Sequence, residues 1–117
     1  MEQPLPTPIS AIALHDWLNQ QSDVPFCIDV REDQELELAR FPDPVLQLPL
    51  SRASDWMDRL PQILPDDQSV VVICHAGIRS QNFGAWLLQQ GLVDQVWNLE
   101  GGIDAWSINV DQAVPRY

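Results

Sequence analysis

The run SVVVIC, residues 69–74, restricts this chain more than any other segment. Four consecutive aliphatic residues, three of them valine, have no polar side with which to meet water, so the segment reads as a buried β-strand. A second apolar run, PFCIDV at residues 25–30, reads as a strand covered on both faces. Strands of this kind need helices above and below them, and the chain supplies helical patterns in alternation. Residues 9–20 read as a helix capped by Ser10, with Ala11, Leu14, Trp17 and Leu18 on one side. Residues 31–39, REDQELELA, suit one or two helical turns. Three prolines in FPDPVLQLPL leave only residues 45–48 as a short strand near a sheet edge. Ser51 is expected to cap a helix reaching about Leu60, with Trp56 and Leu60 inward and Pro61 and Pro65 marking its exit. Residues 79–90 read as a helix stopped by Gly91, QVWNL as another strand, and Gly101–Gly102 as a turn into a last short helix, IDAWS. The alternation implies βαβ units: an α/β fold with an about five-stranded, mainly parallel sheet and helices on both faces.

A chain of 117 residues suits one domain, expected over residues 9–110, with an extended arm at 1–8 and a tail at 111–117. Seventeen acidic residues face six basic ones, all arginine, for a net charge of −11. That balance excludes general binding to nucleic acid or anionic membranes. It also repels small anions, so an anion site here has to be locally positive. Two cysteines, Cys27 and Cys74, are too few for a disulfide framework and form no CxxC pair. Reduced thiols, a cytoplasmic location and a monomer are expected. Neither a secretory leader nor an apolar run of membrane-spanning length is apparent.

Cys74 ends the most apolar strand, and His75, Ala76, Gly77, Ile78, Arg79 and Ser80 follow it. A reactive cysteine must be a thiolate, and a free thiol with a pKa near ~8.5 is only slightly ionised at neutral pH. Lowering that value by about two units takes roughly 2.7 kcal/mol. A helix starting near Arg79 would aim its free N–H groups at the loop, contributing ~0.3–2 kcal/mol. Arg79 and His75 can add charge, and Gly77 lets successive amides turn inward as an anion nest. Cys74 would then lie at the floor of a positive cradle beyond the strand's carboxyl end, where open α/β sheets take their ligands. The opposing reading is a small core residue ending a buried strand. The catalytic reading requires a thiol that is ionised and within reach of water.

The segment CHAGIRS, residues 74–80, resembles the active-site loop of the rhodanese family of sulfurtransferases, which opens on the catalytic cysteine. IDVRED, with Glu35 just beyond it, resembles that family's Asp-Val-Arg-Glu stretch, and NLEGGIDAWS resembles its closing segment. The matches come in the family's order and span most of the chain, as in a single-domain member. Where the family carries Gly-His-Ile-Pro-Gly-Ala, this chain has ARFPDP at residues 39–44, keeping only Pro42.

The resemblance implies a rhodanese-like fold and a sulfurtransferase that needs no metal or cofactor. Cys74 would take the outer sulfur of thiosulfate or a related donor as a persulfide and pass it to cyanide, a thiol or a protein acceptor. Residues 75–80 would form the substrate-binding loop, with Arg79 on the donor's oxygens. Asp29, Arg31 and Glu35 would support the loop, with an ion pair expected between Arg31 and Glu35. A phosphatase or arsenate reductase on the same fold would need five residues between cysteine and arginine; here there are four. A non-catalytic persulfide carrier or interaction module is the other alternative.

Several residues have two readings. His75 either tunes the thiolate and steers anions or has no role, and Ser80 either donates to the bound sulfur or caps the helix. Ile78 would line the mouth. Cys27 reads as core, with a resolving-cysteine role as the alternative; His15 reads as surface and the five tryptophans as packing. A protein partner would need a basic face to meet the acidic surface.

Overall fold

In a computed structural model describing residues 4–117, five parallel strands form one sheet in the order β1-β5-β4-β2-β3. The strands are β1 (Thr7–Ile9), β2 (Phe26–Asp29), β3 (Leu46–Gln47), β4 (Val70–Ile73) and β5 (Trp97–Leu99). The strand formed by the valine run is central. It pairs with β2 through Phe26↔Val70 to Asp29↔Ile73, and with β5 through Val71↔Trp97 and Val72↔Asn98.

Alternation along the central strands divides the core into two layers. Cys27, Val71, Ile73 and Leu99 point to one face, against Ala11, Leu14, Ile103 and Trp106. Ile28, Val70, Val72 and Cys74 point to the other, against Trp56, Leu60, Phe83 and Leu87. Helices α1 (Ala11–Leu18) and α6 (Gly102–Asn109) therefore cover one side of the sheet. On the other lie α3 (Ala53–Trp56), α4 (Leu60–Ile63) and α5 (Ile78–Gln89). Helix α2 (Asp33–Leu38) closes the β2 end through a capping box of Glu32 and Glu35.

Three expectations need correction. The proline-rich arm does not stay outside the sheet, since Thr7 and Pro8 belong to β1, while residues 1–3 lie outside the described residues. Thr7 N and Ile9 O bond to Val96 O and Glu100 N, so Pro8, which has no N–H, sits harmlessly on the open edge. Ser51 caps no helix: it lies in a 3₁₀ turn (Leu50–Arg52), and its N–H and hydroxyl both bond to the Glu32 carboxylate. The expected helix from there to Leu60 is a broken series of short turns, and Pro61 falls inside α4, in the first turn where no N–H is needed. Trp56 and Leu60 are nonetheless buried, as expected. Among the described residues no helix is long and apolar enough to cross a membrane.

Candidate active site

Cys74 follows the last residue of β4, and α5 begins four residues later. Gly77 makes the turn at φ +95°, a conformation L side chains rarely adopt, and an added Cβ would lie 3.2 Å from Gly101 N. The resulting loop folds over the sulfur. Gly77 N lies 3.1 Å from Cys74 Sγ, Ser80 N 3.4 Å and Ser80 Oγ 3.2 Å.

The Gly101–Gly102 pair explains why the amides can face inward. Ile103 N donates to Cys74 O at 2.9 Å and Asp104 N to His75 O at 3.1 Å, so the first turn of α6 draws both loop carbonyls outward. In a trans peptide the N–H opposes its C=O, which turns the amides of His75 and Ala76 the other way, toward the loop interior. Gly102 permits this approach. It has φ +63°, and a Cβ there would sit 2.3 Å from His75 O.

Around the loop lies a chain of charges whose pairing differs from expectation. Arg31 and Asp29 form an ion pair at 2.8 Å with both side chains at 0% exposure. Arg31 also donates to Ala39 O at 2.7 Å and to Tyr117 Oη at 3.1 Å, and it meets only the backbone carbonyl of Glu35. Burial works against the charge on Arg31. Its bonds to Asp29 and Tyr117 prevail and hold the guanidinium protonated.

The Glu35 carboxylate, expected on Arg31, is instead bound to Arg79, at 2.6 Å from Nη1 and 2.8 Å from Nη2. Arg79 holds the Glu35 carboxyl down at about 2, against the opposing effect of burial and with help from Tyr117 and the Glu32 amide. In turn Glu35 raises Arg79 above the usual guanidinium range. These two arginines and two carboxylates cancel in charge. Favourable polarity at the sulfur therefore comes from oriented amides more than from a surplus of cationic side chains.

The residues from His75 to Ser80 differ in access, and the last three form the first turn of α5. Ala76 and Ile78 are exposed, Ile78 at 71%, so Ile78 stands at the mouth. The Arg79 side chain is 36% exposed. Cys74 itself is only 1% exposed, so this conformation does not provide the direct reach to water expected of a reactive thiol. Cys27 lies on the opposite face of the sheet, and burial, aided by Asp43, pushes its thiol up to about 12. Nothing brings it toward Cys74. His15 is exposed, and all five tryptophans are buried or half-buried.

Two residues at the site were missed. Asn98 donates to Gly77 O at 3.0 Å and to Gln81 Oε1 at 3.2 Å, and accepts from Ser80 Oγ at 2.5 Å. A polar residue between Trp97 and Leu99 in a strand was the available signal. Tyr117 stacks on His75, with ring centroids 4.1 Å apart and planes 15° apart, and its hydroxyl donates to Glu35 at 2.7 Å. No motif pointed to it.

The arrangement matches known proteins over most of its length. The chain is 36% identical over 99 residues to a sulfurtransferase of Allochromatium vinosum, covering 85% of this chain and 86% of that protein. It is 32% identical over 115 residues to the chloroplastic rhodanese-like/PpiC domain-containing protein 12 of Arabidopsis thaliana, which is longer; 94% of this chain spans 38% of it. A rhodanese-like domain protein of Staphylococcus aureus superposes with a TM-score of 0.71 at 22% identity, covering 95% of this chain and 98% of that one, a likeness of fold. The rhodanese-like domain model matches residues 10–109, the stretch that contains every strand from β2 onward and the whole Cys74 loop; this chain belongs to that family.

Proposed function

We propose that this protein is a sulfurtransferase that carries sulfane sulfur on Cys74. The observation that carries the reading is the convergence of Gly77 N and Ser80 N on Sγ, at 3.1 and 3.4 Å, while α6 holds the carbonyls of Cys74 and His75 away. A ring of inward amides suits a sulfur anion and gains strength away from water.

In the first half-reaction the Cys74 thiolate attacks the outer sulfur of thiosulfate. The new S–S bond forms as the old one breaks, its electron pair leaves with sulfite, and the terminal persulfide sulfur carries the negative charge. In the second, cyanide or a thiol attacks that terminal sulfur, and the Cys74 thiolate is released. Oxidation is conserved within the transferred sulfur, so no redox cofactor is required. Such chemistry predicts ping-pong kinetics. Arg79 would receive the donor's oxygens with the N–H groups not committed to Glu35. Because Cys74 is 1% exposed, the reading also requires the loop to yield when the donor arrives.

The spacing of four residues and the engagement of Ser80 with Asn98 disfavour the wider cradle of a phosphatase. A carrier that is loaded by another protein uses the same persulfide, and a basic partner face would complement the net charge of −11. A monomer in the reducing cytoplasm suits either version. The test is a thiosulfate-to-cyanide assay with wild type and Cys74→Ala: turnover is expected in the first only, and turnover in both refutes the assignment.

A further inference from the structure

The residues after α6 are tied down at several points. Val110 N and Asp111 N both bond to Trp106 O, and Val114 is buried on the α1–α6 face. Ser107 Oγ donates to Val114 O at 2.5 Å, and Arg116 pairs with Asp104 at 2.7 Å. These anchors deliver Tyr117 to the Cys74 loop.

There the phenol joins a continuous relay. Arg31 Nη1 donates to Tyr117 Oη at 3.1 Å, Tyr117 donates to Glu35 Oε2 at 2.7 Å, and both Glu35 oxygens hold Arg79. Glu35 Oε1 also accepts from Glu32 N at 3.2 Å, so each carboxylate oxygen has two donors. Arg31, at one end, is fully buried and immobilised by Asp29; Arg79, at the other, is partly exposed beside the sulfur. Without the phenol, the Glu32 amide alone would fix the Glu35 carboxylate that holds Arg79. The hydroxyl adds a fixed point referred to the buried arginine. Burial foremost, and the Glu35 acceptor against the effect of Arg31, push the phenol up to about 12, so it stays a donor near neutrality.

We propose that Tyr117 is a positioning residue of this site: through Glu35 it sets the Arg79 guanidinium where the oxyanion end of an anionic sulfur donor is received. The proposal rests on the sulfur-transfer reading and adds to it the group that selects for donor charge.

The decisive variant is Tyr117→Phe, which keeps a ring to stack on His75 and removes the hydroxyl. The KM for thiosulfate is expected to rise about three- to tenfold, the net value of a typical hydrogen bond, with kcat changed by less than about twofold. Discharge of the preloaded persulfide to dithiothreitol, which needs no oxyanion site, should keep its wild-type rate. Sulfite binding to the unloaded protein, read by calorimetry, should weaken by the same factor as the KM rises. Glu35→Gln, which preserves the α2 capping pattern, should raise the KM in the same way.

An unchanged KM and sulfite affinity in Tyr117→Phe overturns the proposal, as does an equal slowing of the dithiothreitol discharge. A wild type that gains no sulfur from thiosulfate refutes the transfer reading instead. Sulfite affinity then still decides the role of Tyr117: weaker binding in Tyr117→Phe supports it, and equal binding, or none to the wild type, overturns it.

Discussion

Ser80 Oγ lies 3.2 Å from Cys74 Sγ and directs its proton to Asn98 Oδ1 at 2.5 Å. Asn98 is held in this orientation by its own donations to Gly77 O and Gln81 Oε1. A hydroxyl has one proton to give, so while it is directed to Asn98 the Ser80 hydroxyl does not donate to the sulfur. To donate to a sulfur anion, the hydroxyl has to turn from Asn98 to the sulfur. Ser80→Ala removes that response while leaving the Gly77 and Ser80 amides in place. Its single-turnover rate of persulfide formation, followed by intact mass, is expected to fall about five- to tenfold, the net value of a typical hydrogen bond, since the bond to Asn98 is given up in exchange. An unchanged rate would show that the amides suffice.

Gly102 is the position where α6 meets the loop, with φ +63° and no room for a Cβ beside His75 O. Gly102→Ala is expected to cost about 2 kcal/mol or more, from the left-handed backbone and the displaced turn. Urea unfolding measures that loss. Persulfide formation should fall with it, because the carbonyls of Cys74 and His75 lose their donors.

The Asp29–Arg31 pair is fully buried, so removing one partner strands the other. Either Asp29→Leu or Arg31→Met alone should destabilise the fold by roughly 3–5 kcal/mol. The double variant should lose clearly less than the sum of the two. Additive losses in urea unfolding would mean that the pair is not coupled.

Acid should weaken the site through Glu35. Its folded-state value of about 2 lies below that of an unfolded glutamate. The stabilisation is therefore complete above about pH 4.3 and disappears as the pH falls toward the folded value. Melting curves across that interval should show a steeper decline for wild type than for Glu35→Gln. Parallel declines would contradict the pairing with Arg79.

These contacts also mark what the sequence could reveal. The valine run, Gly77 and the Gly101–Gly102 pair act locally, through burial and left-handed turns, and each was legible from its neighbours. Strand β1 was not, because prolines at positions 4, 6 and 8 read as an arm unless the edge that accepts them is known. The segment from Leu50 to Ile63 failed for a related reason: its apolar positions have helical spacing, but Trp56 and Arg59 leave helical geometry between short turns. Glu35 looked like a partner for Arg31 because the two are close in sequence, whereas the fold brings Arg79 across 44 residues to claim its carboxylate. Tyr117 is further removed, 82 residues from Glu35, in a tail with no pattern of its own.

On the proposed function, Cys74 becomes the sulfur carrier although it is almost fully buried and lies amid charges that cancel. Intact mass after thiosulfate treatment decides this, with wild type, Cys27→Ser and Cys74→Ala compared. One added sulfur atom on wild type and Cys27→Ser, removed by cyanide, with none on Cys74→Ala, is the predicted result. No gain on the wild type, or a gain that persists in Cys74→Ala, would contradict it.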